Sequence, residues 1–230
     1  GDSSDLRQRP VRIHISGLDE WHEFDAYPPG QSHPSNWHVS GEGKLSQSSQ
    51  RATGMDRYHY DPADPTPNLG GAIFAFTGAG AVDNAPLEAR PDVLTYTSGV
   101  LTRALTIIGQ CTVTLEARAR VPHADFFVRL NDVDPNGISR NICDGFIRVT
   151  PDTLQLSNGC WRLTIPLHAT AHSFRAGHRL RLLIASGAHP RFARNLGSDE
   201  PINTATTMVD NTIEVVRSSL SITLPGYELD

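Results

Sequence analysis

The 230-residue sequence lacks the features that mark several large classes of protein. Its apolar runs are only a few residues long, as at residues 182–185, whereas a membrane-spanning helix needs about 20. It has no long run of lysine and arginine, and 20 basic against 25 acidic side chains give a net charge of −5. We therefore expect neither a membrane nor a nucleic-acid partner. No signal peptide is visible at the start of the sequence, which favours a cytoplasmic location.

Sulfur is also scarce, with two methionines and three cysteines. Cys111, Cys143 and Cys160 are odd in number, form no C-x-x-C pair, and lie in or beside strand-like segments. This pattern is typical of buried free thiols in a reducing compartment and not of a disulfide framework. The sequence predicts no metal site and no cofactor.

The motif of a serine hydrolase active site is missing as well. The chain contains no G-x-S-x-G, and Ser186 lacks the leading glycine that the sharp nucleophile turn uses. His168 and His172 have the spacing of a helical zinc pair, but no glutamate or helix accompanies them. We predict that they lie on a solvent-facing strand, and that the chain carries no catalytic triad.

What the sequence does contain is an apolar period of two residues. Residues 111–120 alternate apolar and polar side chains over ten positions, which places one set on each face of a strand. The same signal, or a weaker form of it, predicts strands at residues 11–15, 93–97, 105–108, 126–133, 139–149, 161–165, 179–182, 212–217 and 219–224. The position of Trp161 on an apolar face predicts that its side chain lies in the core.

Turn residues separate these strands, and no amphipathic helix of three turns is present. The sequence D-P-N-G at residues 134–137 predicts a hairpin turn, although D-x-D-x-N-G at 132–137 also resembles the start of a calcium loop. Strands without intervening helices indicate antiparallel pairing in a sandwich or barrel. We predict a single domain over residues 1–230, with a long irregular loop over residues 17–92.

Seven segments in a fixed order carry a resemblance to a known family. They are YDPADPTP at 60–67, GG at 70–71, RPDVLTYTS at 90–98, RLNDVDPNG at 129–137, CDGFIR at 143–148, FRAGHRLRL at 174–182 and PRFARN at 190–195. Together they make the chain resemble the C-terminal, non-catalytic domain of serine hydrolases of the X-Pro dipeptidyl-peptidase and cocaine-esterase (CocE/NonD) type.

The resemblance implies an all-β, galactose-binding-like jelly-roll β-sandwich, excised from a longer enzyme. Its partner would be the α/β-hydrolase domain that holds the triad of a dipeptidyl-peptidase, acylase or esterase, and a homodimer is compatible with this role. The apolar stretch AIFAF at 72–76 predicts an interface or the edge of the substrate pocket. Ile73, Phe74, Phe76 and Trp37 are the candidate residues, either closing the domain interface or facing the substrate.

A second hypothesis is a free-standing carbohydrate-binding module with the same fold. Trp21, Trp37 or Tyr27 would then be the platforms on which a sugar ring stacks. Calorimetric titration with glycans, and loss of binding in Trp37→Ala, separates the two hypotheses.

Overall fold

The structure is a computed structural model that describes residues 9–30, 32–41, 43–74, 77–201 and 203–229. It contains fifteen strands, one short α-helix and a 3-10 helix at Arg217–Ser219 in these described residues. The strands and the α-helix are β1 Val11–Ile15, β2 Glu20–Phe24, β3 Ser32–Ser40, β4 Lys44–Ser46, β5 Met55–Tyr60, α1 Ala85–Glu88, β6 Val93–Ser98, β7 Leu105–Gly109, β8 Thr112–Ala119, β9 Ala124–Val133, β10 Ser139–Val149, β11 Trp161–Pro166, β12 Thr170–Phe174, β13 Arg179–Ala185, β14 Asn211–Val216 and β15 Ser221–Tyr227. No helix in the described part of the chain has the length and apolar character needed to span a bilayer.

The strands confirm the predicted all-β fold. Each predicted strand appears at or near its expected position, and all strand pairs are antiparallel except the short β4–β6 pair. The β9–β10 hairpin turns at the predicted D-P-N-G sequence, where the Asp134 N–H bonds to the Ile138 carbonyl over 3.0 Å and Gly137 has a φ of 87°. The prediction of a hairpin turn at this segment is therefore confirmed.

Two sets of strands face each other across the main core. The first set has the strand order β10–β9–β13–β6, and the second has the order β3–β15–β8–β14–β5. In the second set β11 also pairs with β8, β7 pairs with β15, and β12 pairs with β7. Strand β4 pairs with β6 and with β3 and so connects the two sets. The core combines Phe126 and Leu182 of the first set with Val113, Trp161 and Ile222 of the second. Apolar side chains of both sheets thus meet inside a sandwich, and the predicted burial of Trp161 is confirmed.

Strand β9 is buried along its whole length because both of its faces are covered. Phe126, Val128 and Leu130 point into the main core. On the opposite face, Phe127 packs with Leu87 of α1 in a second, smaller core. The chain before β6 therefore forms a cover over the outer face of this sheet.

The prediction of an irregular loop over residues 17–92 was wrong for much of that range. Strands β2, β3, β4 and β5 and helix α1 all lie within it. In β5, MDRYHY, only Tyr58 and Tyr60 are buried, and Met55, Arg57 and His59 are exposed on the other face, so the apolar alternation is weak. Strand β3 contains Pro34, which argued against a strand in the sequence, yet it pairs with β15 over seven positions.

The hairpin β1–β2 forms a separate two-stranded sheet that lies against the main sheet. Its Ile15 and Phe24 pack with Ile108 of β7 in a third small core. The three cysteines are buried and unpaired, which confirms the prediction of free thiols.

Candidate functional site

The most exposed large apolar side chain among the described residues belongs to Phe74, which is fully exposed. It lies, together with the partly buried Ile73, between Gly71 and Gly80, in a segment that we call the projecting loop and of which the structure describes residues 72–74 and 77–79. Gly71 and Gly80 pair at the base of this loop, with N–O distances of 2.8 and 2.9 Å. Phe76, the other phenylalanine predicted to belong to the site, lies outside the described residues.

Buried polar side chains of β9 and β10 hold the base of the projecting loop. The amide of Asn141 donates to the Gly80 carbonyl over 2.9 Å and accepts from the Val82 N–H over 3.0 Å. Arg129 donates to the Leu69 carbonyl and, over 2.8 Å, to the side-chain oxygen of Asn84. Both ends of the loop are thus held by side chains of the sheet, while the side chain of Phe74 is fully exposed.

Close packing explains the two glycines at this base. A Cβ on Gly70 would lie 2.6 Å from the Val82 side chain and 2.7 Å from the Gly80 carbonyl oxygen, and its φ is +65°. Gly71 has a φ of +85°, and a Cβ there would lie 3.1 Å from charged atoms of Arg129, Arg191 and Asp144. Only glycine combines this backbone conformation with so close an approach.

The charged group beneath Gly71 is a buried ion network centred on Asp144. One carboxylate oxygen of Asp144 accepts from Arg129 over 3.0 Å and from Arg191 over 2.8 Å. Burial alone would raise the pKa of Asp144, but the hydrogen bond from Arg191 and the charge of Arg129 outweigh it and lower the pKa. Burial lowers the pKa of the Arg129 guanidinium. The two guanidinium groups thus share one ionised carboxylate.

A cavity of about 480 Å³ lies beside the base of the projecting loop. On one side it is lined by a row of hydrogen-bonded polar groups. Ser16 Oγ lies 2.8 Å from His172 Nδ1, and His172 Nε2 lies 3.0 Å from Asp132 Oδ2. The other carboxylate oxygen of Asp132 lies 2.8 Å from His178 Nδ1. We call Ser16, His172, Asp132 and His178 the polar row.

The polar row corrects one prediction. His172 does not face solvent as expected but is buried, whereas His168 is largely exposed. A histidine in an alternating strand is normally assigned to the polar, solvent-facing side. The partner of His172, Asp132, is 40 residues away in the sequence, so no local pattern could indicate this contact. Within the described residues, no group of three or more histidine, cysteine or acidic side chains is placed to hold a metal ion.

The row has the order of bonds that activates a serine in hydrolases, where a histidine accepts the serine proton and a carboxylate orients the histidine. Its setting differs from an active site, because Ser16 follows strand β1 and no helix continues the turn after it. Ser16 Oγ also lies 3.0 Å from the Ala171 carbonyl oxygen, a second acceptor for its single proton.

The structure does not place Trp37 with the projecting loop. Trp37 is partly buried on β3, packs against the main core, and lines another cavity of about 660 Å³ with Leu101 and Arg103. Of the other candidate stacking residues, Trp21 is 58% exposed and Tyr27 is 51% exposed. The guanidinium of Arg12 lies 4.9 Å from the centre of the Trp21 ring and occupies the place that a sugar would need on that face.

Comparisons with known proteins agree with this fold. A family profile described as the X-Pro dipeptidyl-peptidase C-terminal non-catalytic domain matches residues 6–217. The chain is 35% identical over 203 residues to cocaine esterase of Rhodococcus sp. (strain MB1 Bresler), covering 80% of this chain and 35% of the esterase.

Solved structures give the same result. An alpha-amino acid ester hydrolase superposes with a TM-score of 0.84 at 27% identity, covering 95% of this chain and 41% of the hydrolase. An aminopeptidase from a marine sediment Thaumarchaeota archaeon has a TM-score of 0.85 at 24% identity, covering 98% of this chain and 42% of the aminopeptidase. The chain therefore spans well under half the length of the relatives that it matches.

Proposed function

Because the chain belongs to the X-Pro dipeptidyl-peptidase C-terminal non-catalytic domain family, we propose that it packs against an α/β-hydrolase catalytic domain and shapes that domain's active site. The projecting loop is the part of the chain to which we assign this contact. The nucleophile and the oxyanion-binding groups would belong to the catalytic domain, which forms an acyl-enzyme with its substrate.

The full exposure of Phe74 is the single observation that carries this proposal. A phenylalanine side chain gains about 1.5–3 kcal/mol when it is buried, so an exposed one on an ordered base favours a partner surface. The base is ordered by Asn141 and Arg129, whose own side chains are buried in the sheet. The loop can thus present Phe74 at a fixed position relative to the sandwich.

The relatives suggest the class of substrate. Cocaine esterase and the alpha-amino acid ester hydrolase act, by their names, on esters. We infer that the longer enzyme cleaves esters or amides, and that Ile73 and Phe74 lie at the edge of the pocket for the acyl part. The comparisons do not favour the carbohydrate-binding alternative, and the half-buried Trp37 does not support it.

The test compares two substitutions in the full-length protein. Phe74→Ala should lower kcat/KM for p-nitrophenyl esters by about tenfold, the equivalent of about 1.4 kcal/mol of lost contact. The matched control is Leu154→Ala, which removes another strongly exposed apolar side chain from a different loop and should leave kcat/KM unchanged. If Phe74→Ala matches the wild type in both kcat/KM and thermal stability, the loop does not contact the catalytic domain.

The isolated 230-residue chain provides a second measurement. It should not turn over p-nitrophenyl acetate, because the nucleophile lies in the other domain. Turnover that disappears in Ser16→Ala would contradict the proposal, since the polar row would then act as a hydrolase by itself.

A further inference from the structure

The cavity beside the projecting loop offers chemistry that the accessory role does not use. The polar row lines one part of the cavity, and small or apolar residues such as Ala72, Ala81 and Ile142 line another. The remaining polar lining residues are Asp134, Arg140, Asn141 and Arg175. Ser16 is exposed to the cavity, whereas His172 and Asp132 behind it are buried. Ser16, which a ligand would meet first, is thus hydrogen-bonded to a buried pair of titratable side chains, His172 and Asp132.

Hydrogen-bond geometry allows the polar row two protonation states. When His172 is neutral, its Nε2–H donates to Asp132, and its Nδ1 accepts the hydroxyl proton of Ser16. When His172 is protonated, its Nδ1–H donates to Ser16 Oγ, and the hydroxyl proton is free to turn away. The Ala171 carbonyl oxygen, 3.0 Å from Ser16 Oγ, accepts that proton when no ligand is present.

The charges that line the cavity make it neutral until a histidine takes up a proton. Arg140 and Arg175 oppose Asp132 and Asp134, and Arg140 lies 3.3 Å from Asp134. Desolvation opposes ionisation of Asp134, but the N–H groups of Ile138 and Asn136 outweigh it and lower the pKa of this carboxyl. Asp134 therefore stays ionised, and each protonated histidine adds one positive charge to the cavity.

We propose that this cavity binds the carboxylate of a small apolar acid and that His172 takes up one proton as the acid binds. The hydroxyl proton of Ser16 turns from His172 Nδ1 to the ligand carboxylate, and a proton from solvent fills Nδ1. Apart from the N–H bond that the solvent proton forms at His172 Nδ1, no covalent bond is made or broken, and the added proton balances the negative charge of the ligand.

Arg175 supplies the second contact to the carboxylate. Its Nε donates to the Gly17 carbonyl over 2.8 Å, which holds the guanidinium at the rim of the cavity. A guanidinium is the side chain best suited to a carboxylate because its N–H groups bond to both oxygens. The apolar walls then select an acid with an apolar body, and the chemistry is that of the acids that ester hydrolysis releases.

Benzoate is the probe, and calorimetric titration of the isolated chain is the measurement. The affinity for benzoate should rise as the pH falls, by up to about tenfold per pH unit, because one proton is taken up with each benzoate bound. The binding heat should vary with the ionisation enthalpy of the buffer in the way that uptake of one proton predicts. Benzamide, which has the same shape without the charge, should bind at least tenfold more weakly.

Substitutions of the cavity residues test whether benzoate binds there. Ser16→Ala and Arg175→Gln should each weaken benzoate binding about tenfold or more, which corresponds to the loss of one charge-assisted contact. Ser48→Ala, which alters an exposed serine elsewhere, should leave the affinity unchanged. His172→Gln should abolish proton uptake. Equal binding of benzamide, affinity that is independent of pH, or full affinity in Ser16→Ala would each overturn the proposal, and none of these results bears on the contact assigned to Phe74.

Discussion

Replacing Asp144 by asparagine is the most informative single change in the ion network, because it removes one charge and keeps the shape. In the native structure Asp144 pairs with Arg129, which is fully buried, and with Arg191, which is nearly so. The substitution leaves both guanidinium groups without a carboxylate, and buried Arg129 Nε has no partner in the native structure. A neutral amide oxygen cannot compensate two buried positive charges.

The expected loss of stability follows from this burial. Removing one partner of a buried ion pair costs about 3–5 kcal/mol, whereas an exposed pair contributes about 0–1 kcal/mol. For a chain of this length, 1 kcal/mol shifts the melting temperature by about 2–4 °C, so Asp144→Asn should melt about 6–20 °C below the wild type. Asp64→Asn breaks an exposed pair with Arg90 and should melt within about 4 °C of the wild type.

The pH dependence of the same variant gives an independent check. The lowered pKa of folded Asp144 means that this carboxyl stabilises the fold above its unfolded pKa of about 3.9, and that the stabilisation is lost as the pH falls through the folded value. The difference between wild type and Asp144→Asn, measured by urea unfolding, should therefore be largest near pH 7 and shrink below about pH 4. Equal urea midpoints for Asp144→Asn and Asp64→Asn at pH 7 would refute the reasoning.

Two further predictions concern packing and thiol reactivity. Gly145→Ala should destabilise the chain by about 1–3 kcal/mol in urea unfolding, because its Cβ would lie 2.4 Å from the Pro166 carbonyl oxygen, whereas Gly187→Ala meets nothing within 4 Å and should be neutral. The three thiols should not react with Ellman's reagent until the chain is unfolded, because all are buried, and a hydrogen bond with the Cys111 thiol together with burial raises the pKa of Cys143. A native thiol that reacts as fast as free cysteine would contradict the buried position.

The sequence predicted the strands whose two faces differ most. Residues 161–166 alternate buried and exposed side chains at every position, and the period of two is visible without the structure. Strand β2, Glu20–Phe24, reads EWHEF and buries only Phe24, because it belongs to a hairpin that touches the sheet on one side. A strand that contributes one side chain to a core leaves almost no periodic signal.

The sequence could indicate the candidate site only through an apolar segment in a region predicted to be a loop. The apolar run at 72–76 stood out because it lies in a loop, and its Phe74 is indeed exposed. The residues that hold the loop gave no such signal, since Asn141 and Arg129 read as ordinary polar positions in strands. Asn141 lies at a register shift in β10, and the contacts of Asn141 and Arg129 with the base of the loop span sequence separations of 59 to 61 positions. Contacts of that sequence separation are properties of the fold.

The burial of Arg129 is best explained by the projecting loop and not by the stability of the sheet. Apolar residues of similar volume often replace a buried ion pair without loss of stability, and the other face of β9 shows that this strand accepts them. An apolar side chain cannot, however, donate to the Leu69 carbonyl and to Asn84 at the same time. Arg129, neutralised by the Asp144 carboxylate, therefore hydrogen-bonds to residues on both sides of the loop. A loop whose two ends are held in this way can present Phe74 at a set position, which is the role that we propose for it.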